Sequence, residues 1–288
     1  MSEKPCYLNL GCGSRCHPDW INIDIVAQGP GIIRHDLSRG IPLCDDSCDV
    51  VYHAAVLEHL RRPDATAFMV ECLRVLKPGG VLRVGVPDLE GICRLYLARL
   101  ASALAGDAAA GHDYDWVMLE LYDQVTREES GGGMVEFLRR EPLPNEAFVI
   151  ARIGEEGRTL LAALREQERP RSFSLVAELH RVWRGLRSLP ATAGRLVAQG
   201  LMGAENRRAF AVGRLRLSGE VHQWMYDKFS LARLLKEAGF HEPRVCDAVT
   251  SRIPDWGKYH LDTLPDGRPI KPDLLFMEAI KGGSPSEE

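Results

Sequence analysis

Residues 7–24, YLNLGCGSRCHPDWINID, decide the fold. Tyr7 to Gly11 is a short apolar run that ends in glycine, and Ile21 to Val26 is another with Asp24 at its centre. Short apolar runs bounded by turn residues read as strands buried on both faces. Glycine at 11 and 13 permits a tight turn and a close approach of backbone to a ligand. A charged residue flanked by Ile23 and Ile25 is costly unless it faces a partner, which marks Asp24 as a binding group. A GxG turn alone is a weak signal. A dinucleotide site adds a third small residue and places its acid about twenty positions on. Here Cys16 stands at that third position and Asp24 follows Gly11 by thirteen, so a nicotinamide dehydrogenase is disfavoured.

Outward from this stretch, strand and helix alternate. Asp49 to His53 reads as a third core strand. Between Asp64 and Leu76 the apolar residues Phe68, Cys72, Val75 and Leu76 fall at helical spacing, and Pro78-Gly79-Gly80 stops that helix. Val81 to Val86 follows as a strand, then Pro87-Asp88. Such alternation predicts a parallel sheet covered on both faces. It breaks after about residue 95. From 96 to 218 the patterning is mostly helical, interrupted by Gly131-Gly132-Gly133 and by prolines at 142, 144, 170 and 190, which defines an insertion. The α/β pattern returns with a helix over 229–238, a strand near 244–248 and a last strand over 274–280. The core is thus 1–95 together with 219–281, and 282–288 reads as a disordered tail.

The 288 residues, 45% of them hydrophobic, suffice for one large core without disulfides. No secretory signal is evident and no apolar run is long enough to cross a bilayer, so the eight cysteines are expected to be reduced thiols in a cytoplasmic protein. The pairs Cys12/Cys16 and Cys44/Cys48 lack the flanking chemistry of a zinc knuckle, and no metal site is expected. Charge is split along the chain. Between Arg158 and Arg216 stand twelve arginines against four glutamates, with no Lys or Asp, in a chain whose net charge is -4. An acidic body and a basic module that meets something anionic fit this split.

Six blocks follow one another in order: LNLGCG (8–13), INIDI (21–25), HDL (35–37), IPLCDDSCDVVYHAAVLEHL (41–60), LRVLKPGGVLRVGVPDLE (73–90) and MYDKFSLARLLKEAGF (225–240). On these the chain resembles the class I S-adenosylmethionine (SAM)-dependent methyltransferases, and within them a bacterial branch linked to saccharide and cell-surface biosynthesis. The resemblance covers roughly residues 5–95 and 219–281. It implies an α/β fold with a Rossmann-like sheet, mostly parallel with the last strand antiparallel, carrying the helical insertion as a cap. It implies SAM as cofactor, with Leu10, Gly11, Cys12 and Gly13 along its methionine part and Asp24 on the ribose. Asp36 and Leu37 then flank the adenine, and His53 and Ala54 border the sulfonium. Glu58 and His59 match the family's LEHL block, which braces the helix beside the cofactor. The residue types suit this cofactor, which has no phosphate to cradle and needs a carboxylate for its ribose hydroxyls. Only about eight positions separate Gly13 from Ile21, too few for the usual crossover helix. A truncated turn is expected there, with Ser14 and Arg15 as candidates for holding the cofactor's carboxylate.

Methyl transfer from a sulfonium requires alignment and the exclusion of water. A hydroxyl acceptor also benefits from a general base, by about 10² to 10⁴-fold. His222 is the first candidate, because it lies where the insertion rejoins the core at the carboxyl edge of the sheet, and Tyr226 follows four residues on. The competing reading makes this pair one packed face of a connecting helix. His53, His59 and His260 are alternative bases, and Asp88 either touches substrate or caps the next helix. The expected reaction is O-methylation of a saccharide or similar polar or anionic acceptor. N- or C-methylation of a small natural product, and a catalytically silent SAM-binding protein, are the alternatives.

Within the insertion, Leu175, Leu179, Val182 and Leu186 fall on one helical face while Arg181, Arg184 and Arg187 lie away from it, and Pro190 ends the pattern. A cationic amphipathic helix of this kind can lie on the inner face of an anionic membrane or receive a lipid-linked or phosphate-bearing acceptor. The alternative is a cap helix whose arginines are solvated. Nucleic acid is disfavoured, because aromatics are sparse and no RNA-binding module accompanies the arginines.

Overall fold

The computed structural model describes residues 4–26, 29–168 and 203–283. Its strands are β1 Tyr7–Leu10, β2 Ile21–Asp24, β3 Ile32–Arg34, β4 Cys48–Ala54, β5 Leu76–Pro87, β6 Phe240–Cys246 and β7 Leu274–Lys281. Its helices are α1 Arg62–Val75, α2 Leu89–Leu104, α3 Ala108–Thr126, α4 Gly132–Leu138, α5 Glu146–Glu168, α6 Ala204–Arg216 and α7 Lys228–Glu237. The strands form one sheet in the order β3-β2-β1-β4-β5-β7-β6. β1 to β5 are parallel, and β7 enters antiparallel between β5 and β6. This is the Rossmann-like mixed sheet. Its strand order reverses between β1 and β4, which opens a crevice at the carboxyl ends of these strands.

Alternation along the strands sorts the two faces. Leu8, Leu10, Val51, Leu82, Val84 and Val86 point to one side, where Phe68, Met69 and Cys72 of α1 and Leu231, Leu234 and Leu235 of α7 cover them. Tyr7, Val50 and Tyr52 point to the other, against Trp20, Ile253, Trp256, Tyr259 and Leu261. That second face differs from the expectation of helices on both sides. The connection from β1 to β2 contains no helix, as its shortness predicts, and coil rich in aromatics takes the helix's place. Arg83 lies fully buried on this face. It donates to Asp262 at 2.9 Å and Glu278 at 2.9 Å, and to the carbonyls of Thr250 at 3.0 Å and Asp247 at 2.6 Å. The rings of Trp256 and Phe276 flank its guanidinium at 4.5 and 5.0 Å. Tyr52 donates to the same Asp262 at 2.6 Å. The coil after β6 is thereby fastened to the centre of the sheet.

The predicted helices over 64–76 and 229–238 are α1 and α7, shifted by a residue or two. α1 starts at Arg62 with Pro63 in its first turn, where the missing N–H costs nothing. β5 begins at Leu76, five residues before the predicted run Val81–Val86, because Leu76 pairs with Cys48 of β4. β6 starts at Phe240, four residues early, and β3 is an exposed three-residue edge that carries no apolar run.

The expected insertion boundary near residue 95 falls inside α2. α3, α4 and α5 bury a core of their own around Trp116, Phe137, Leu138, Val149 and Leu161. α5 breaks at Gly154, whose φ of 61° is open to glycine alone at low cost. At that break the Glu155 amide donates to the Ile270 carbonyl at 3.0 Å, and a Cβ on Gly154 would overlap the same carbonyl. The segment leading into β7 therefore docks on the insertion. The amphipathic stretch Leu175–Leu186 with its arginines, Pro190 and the tail beyond Gly283 lie outside the described residues. Among the described residues no helix is long and apolar enough to cross a membrane.

Candidate functional site

A cleft of about 750 Å³ opens at the carboxyl ends of β1, β2 and β4. Gly11, Asp24, Ile25, Val56 and Leu60 line its floor, His35 to Ser38 one rim, and Arg216 to Gly219 with Gln223 the opposite rim. The turn after β1 is built from backbone. Gly11 and Cys12 both donate to the Ile23 carbonyl, at 2.8 and 3.3 Å. The Asp24 carboxylate accepts from the amides of Gly13 and Val26, each at 2.8 Å. Asp24 is thus oriented by the turn that it closes, and each of its oxygens retains a free lone pair toward the cleft.

The glycines have separate reasons. Gly11 has a φ of 64°, and a Cβ on it would overlap the Val56 side chain. Gly13 has a φ of 53°, and nothing stands within 4 Å of where its Cβ would sit. Cys12 is buried, and burial pushes its thiol up to about 11, so it is an apolar wall rather than a nucleophile. Asp36 caps the short turn Leu37–Arg39 by accepting from Ser38 N at 3.0 Å, and the Ser38 hydroxyl together with this amide holds its carboxyl below the usual range. Leu37 is half-buried against the core and lines the rim.

A carboxylate at the end of β2, apolar walls from Ile25, Leu37, Val56 and Leu60, and polar groups at the His35–Ser38 rim match the parts of S-adenosylmethionine. The chemistry of this donor set fits that cofactor. Arg15 does not reach the cleft; it pairs with Glu156 of α5 at 3.6 Å. Arg216 lines the cleft, as does Arg61, which is paired with Asp64 at 2.7 Å.

His53 is fully buried on the helix-covered face, edge-on to Phe68 at 5.1 Å, and does not line the cleft. Both of its ring nitrogens lack partners among the described residues, and burial pushes its pKa down to about 3. Ala54, half-buried, ends β4 and is followed by Ala55 at the cleft. Leu10 is fully buried in the core below the turn. His260 is exposed on the coil beyond β6, outside the cleft. Asp88 stands before α2, its amide donating to the Asp273 carbonyl at 3.0 Å.

Residues 221–227 are extended rather than helical, so His222 and Tyr226 do not form one helix face. The Tyr226 amide segment bridges to Asp88, and its ring is buried in the main core, which pushes the phenol up to about 12. His222 instead meets the Glu58-His59 pair. The Glu58 carbonyl accepts from Gln223 N at 2.6 Å, and the rings of His59 and His222 meet edge-on at 4.7 Å. Glu58 is buried, and burial raises its carboxyl to about 7. Burial likewise lowers His59 to about 4 and His222 to about 3, leaving both imidazoles neutral.

Behind this trio lies a second, smaller cavity of about 210 Å³ between the sheet edge and the insertion. Trp116, Leu138 and Leu160 give it apolar walls, while Glu120, Arg127, Glu156, Lys271 and Asp273 supply charge. The His222 amide donates to the carbonyl of Gln124, which lines it. Lys271 pairs with Glu156 at 2.9 Å and Arg152 with Glu120 at 2.6 Å. Lys271 and Asp273 lie in the polar approach to β7 and carry no local signature. The adjacency of Glu58-His59 to His222 spans more than 160 residues, and the lone histidine at the insertion's end was its one trace.

Residues 22–84 match a family profile described as a methyltransferase domain. A curated relative from Mycolicibacterium smegmatis, described as a probable S-adenosylmethionine-dependent methyltransferase, is 48% identical over 56 residues. That match spans 19% of this chain and only 21% of the relative's length. Among solved structures, a SAM-dependent methyltransferase from Methanosarcina mazei is 16% identical, covering 99% of this chain and 95% of that one with a TM-score of 0.39. One from Mesorhizobium loti is 22% identical, covering 31% of this chain and 50% of that one with a TM-score of 0.25. These scores are low, and the fold assignment rests on strand order and direction.

Proposed function

We propose that this chain, whose core is a class I S-adenosylmethionine-dependent methyltransferase domain, transfers a methyl group to a hydroxyl of a polar or anionic acceptor such as a saccharide. The observation that carries the reading is the Asp24 carboxylate, held toward the cleft by the amides of Gly13 and Val26 at the point where the sheet order reverses. Bound SAM supplies an electrophilic methyl together with its own thioether leaving group. The chain's task is then orientation, exclusion of water and removal of one proton. Asp24 fixes the ribose, Ile25 and Leu37 clasp the base, and Gly11 with Ala55 and Val56 forms the wall beside the reacting end.

The acceptor enters the smaller cavity, whose charged floor of Lys271, Glu156 and Asp273 suits hydroxyls and anionic substituents. Glu58, His59 and His222 stand between the two cavities, beside the acceptor hydroxyl, whose proton leaves to solvent as the new oxygen–carbon bond forms. The saccharide is supported by the polar, charged lining and by the basic insertion, whose arginines Arg181, Arg184 and Arg187 suit a phosphate-bearing or lipid-linked acceptor at a membrane face. Incubating the full chain with methyl-labelled SAM and fractionated cell extracts tests this. Label in a saccharide-containing product is the expected result; label only on amines or carbon would overturn the hydroxyl acceptor.

A further inference from the structure

Glu58, His59 and His222 form a group unlike any other among the described residues. Each offers one ligand atom, and these atoms lie within 4.8 Å of one another. Glu58 and His222 are buried, and His59 is half-buried at the cleft wall. Glu58 Oε2, His59 Nδ1 and His222 Nδ1 are all buried without a hydrogen-bond partner among the described residues. A buried carboxylate oxygen and two buried ring nitrogens left unmatched together cost several kcal/mol, on the order of 1–3 each. Native cores rarely leave three such atoms facing one point.

We infer that Glu58, His59 and His222 hold a divalent first-row transition cation at the partition between the cofactor cleft and the inner cavity. Two neutral imidazoles and one carboxylate are the donor set that such ions take in open catalytic sites. Donors on a tetrahedral zinc stand about 3.3 Å apart, so closing the trio needs side-chain rotations of roughly an ångström.

The cations near the trio are each paired with carboxylates. Lys271 is matched by Glu156, Arg127 by Asp123 at 2.7 Å and Glu220 at 3.3 Å, and Arg152 by Glu120. Glu58 and the half-buried Asp273, which lines the inner cavity, form no ion pair among the described residues. Because His59 lines the cofactor cleft and the His222 amide is tied to the inner cavity, an ion here has open positions toward the acceptor. It would lower the pKa of a bound acceptor hydroxyl, whose proton then leaves to solvent, and this role rests on the methyl-transfer reading above.

The test uses the full chain, stripped with a chelator and titrated with Co²⁺ and Zn²⁺ by calorimetry and absorption. One ion per chain is expected, with d–d bands from Co²⁺ but no thiolate-to-cobalt charge-transfer band, which separates this site from the eight cysteines. His222→Ala and His59→Ala should each weaken binding at least a hundredfold, and Glu58→Gln at least tenfold. Circular dichroism and thermal unfolding of the same variants show that they are folded. Absence of Co²⁺ and Zn²⁺ binding, a thiolate spectrum, or binding that survives the double His59→Ala/His222→Ala replacement overturns the inference. The titration needs no acceptor, so an ion bound without methyl transfer would sink only the proposed reaction, and SAM binding without an ion would sink only the metal site.

Discussion

Replacing His53 by leucine separates a packed core histidine from one that reaches the reacting atoms. The ring lies fully buried against Phe68, and neither nitrogen has a partner among the described residues. A neutral imidazole in that position buries an unmatched donor and acceptor, a cost of about 1–3 kcal/mol that leucine of similar volume removes. Protonation adds a pH dependence. Burial pushes His53 from 6.5 to about 3. Below pH 6.5 the unfolded chain takes up a proton that the folded chain refuses until about pH 3, so stability is lost as pH falls through that window. At pH 5 the loss is on the order of 2 kcal/mol, from about 1.4 kcal/mol per unit. His53→Leu should therefore be more stable than the parent by about 1–3 kcal/mol at pH 8, and by roughly 2 kcal/mol more at pH 5. Urea unfolding followed by tryptophan fluorescence at the two pH values measures both. A variant destabilised at both pH values, or one that folds and binds SAM yet transfers no methyl group, would refute the reasoning.

Arg83→Met leaves the carboxylates of Asp262 and Glu278 buried without their cation, at a cost of about 3–5 kcal/mol. Thermal unfolding should drop by roughly 10 °C, and the further changes Asp262→Asn and Glu278→Gln should recover much of it. Gly11→Ala combines a left-handed backbone with overlap on Val56, together about 2–4 kcal/mol. Adding Val56→Ala should restore the steric part alone, as read by the same unfolding assay. Gly154→Ala should loosen α5 from the Ile270 carbonyl and lower acceptor affinity with SAM affinity unchanged, which calorimetry resolves.

The parts of the fold legible in the sequence are those whose residues act locally. β1, β2 and α1 are read from apolar spacing and turn residues, because burial on one or both faces leaves its period in the chain. β3 leaves none, since its three residues sit on an exposed edge and are strand only by pairing with β2. Arg83 reads as an interruption of an apolar strand; its partners Asp262 and Glu278 lie some 180 residues away, and burial of a charge is decided there. The candidate cofactor residues around Asp24 are close in sequence and were found together. The trio at the partition was not, since Glu58-His59 and His222 are joined only when the insertion closes over the sheet. Neither the cysteine spacing nor any local cluster points to a metal in the sequence, and residues that the fold brings together from distant parts of the chain leave no spacing to read.

Calorimetric titration of the full chain with S-adenosylhomocysteine, beside NAD and an Asp24→Ala variant, asks whether the cleft at Asp24 holds S-adenosylmethionine. One site per chain is expected, with no heat from NAD and at least about a hundredfold weaker binding in the variant, from two lost bonds to a charged acceptor of about 1.5–3 kcal/mol each. Binding of NAD, or undiminished affinity in Asp24→Ala, would contradict it.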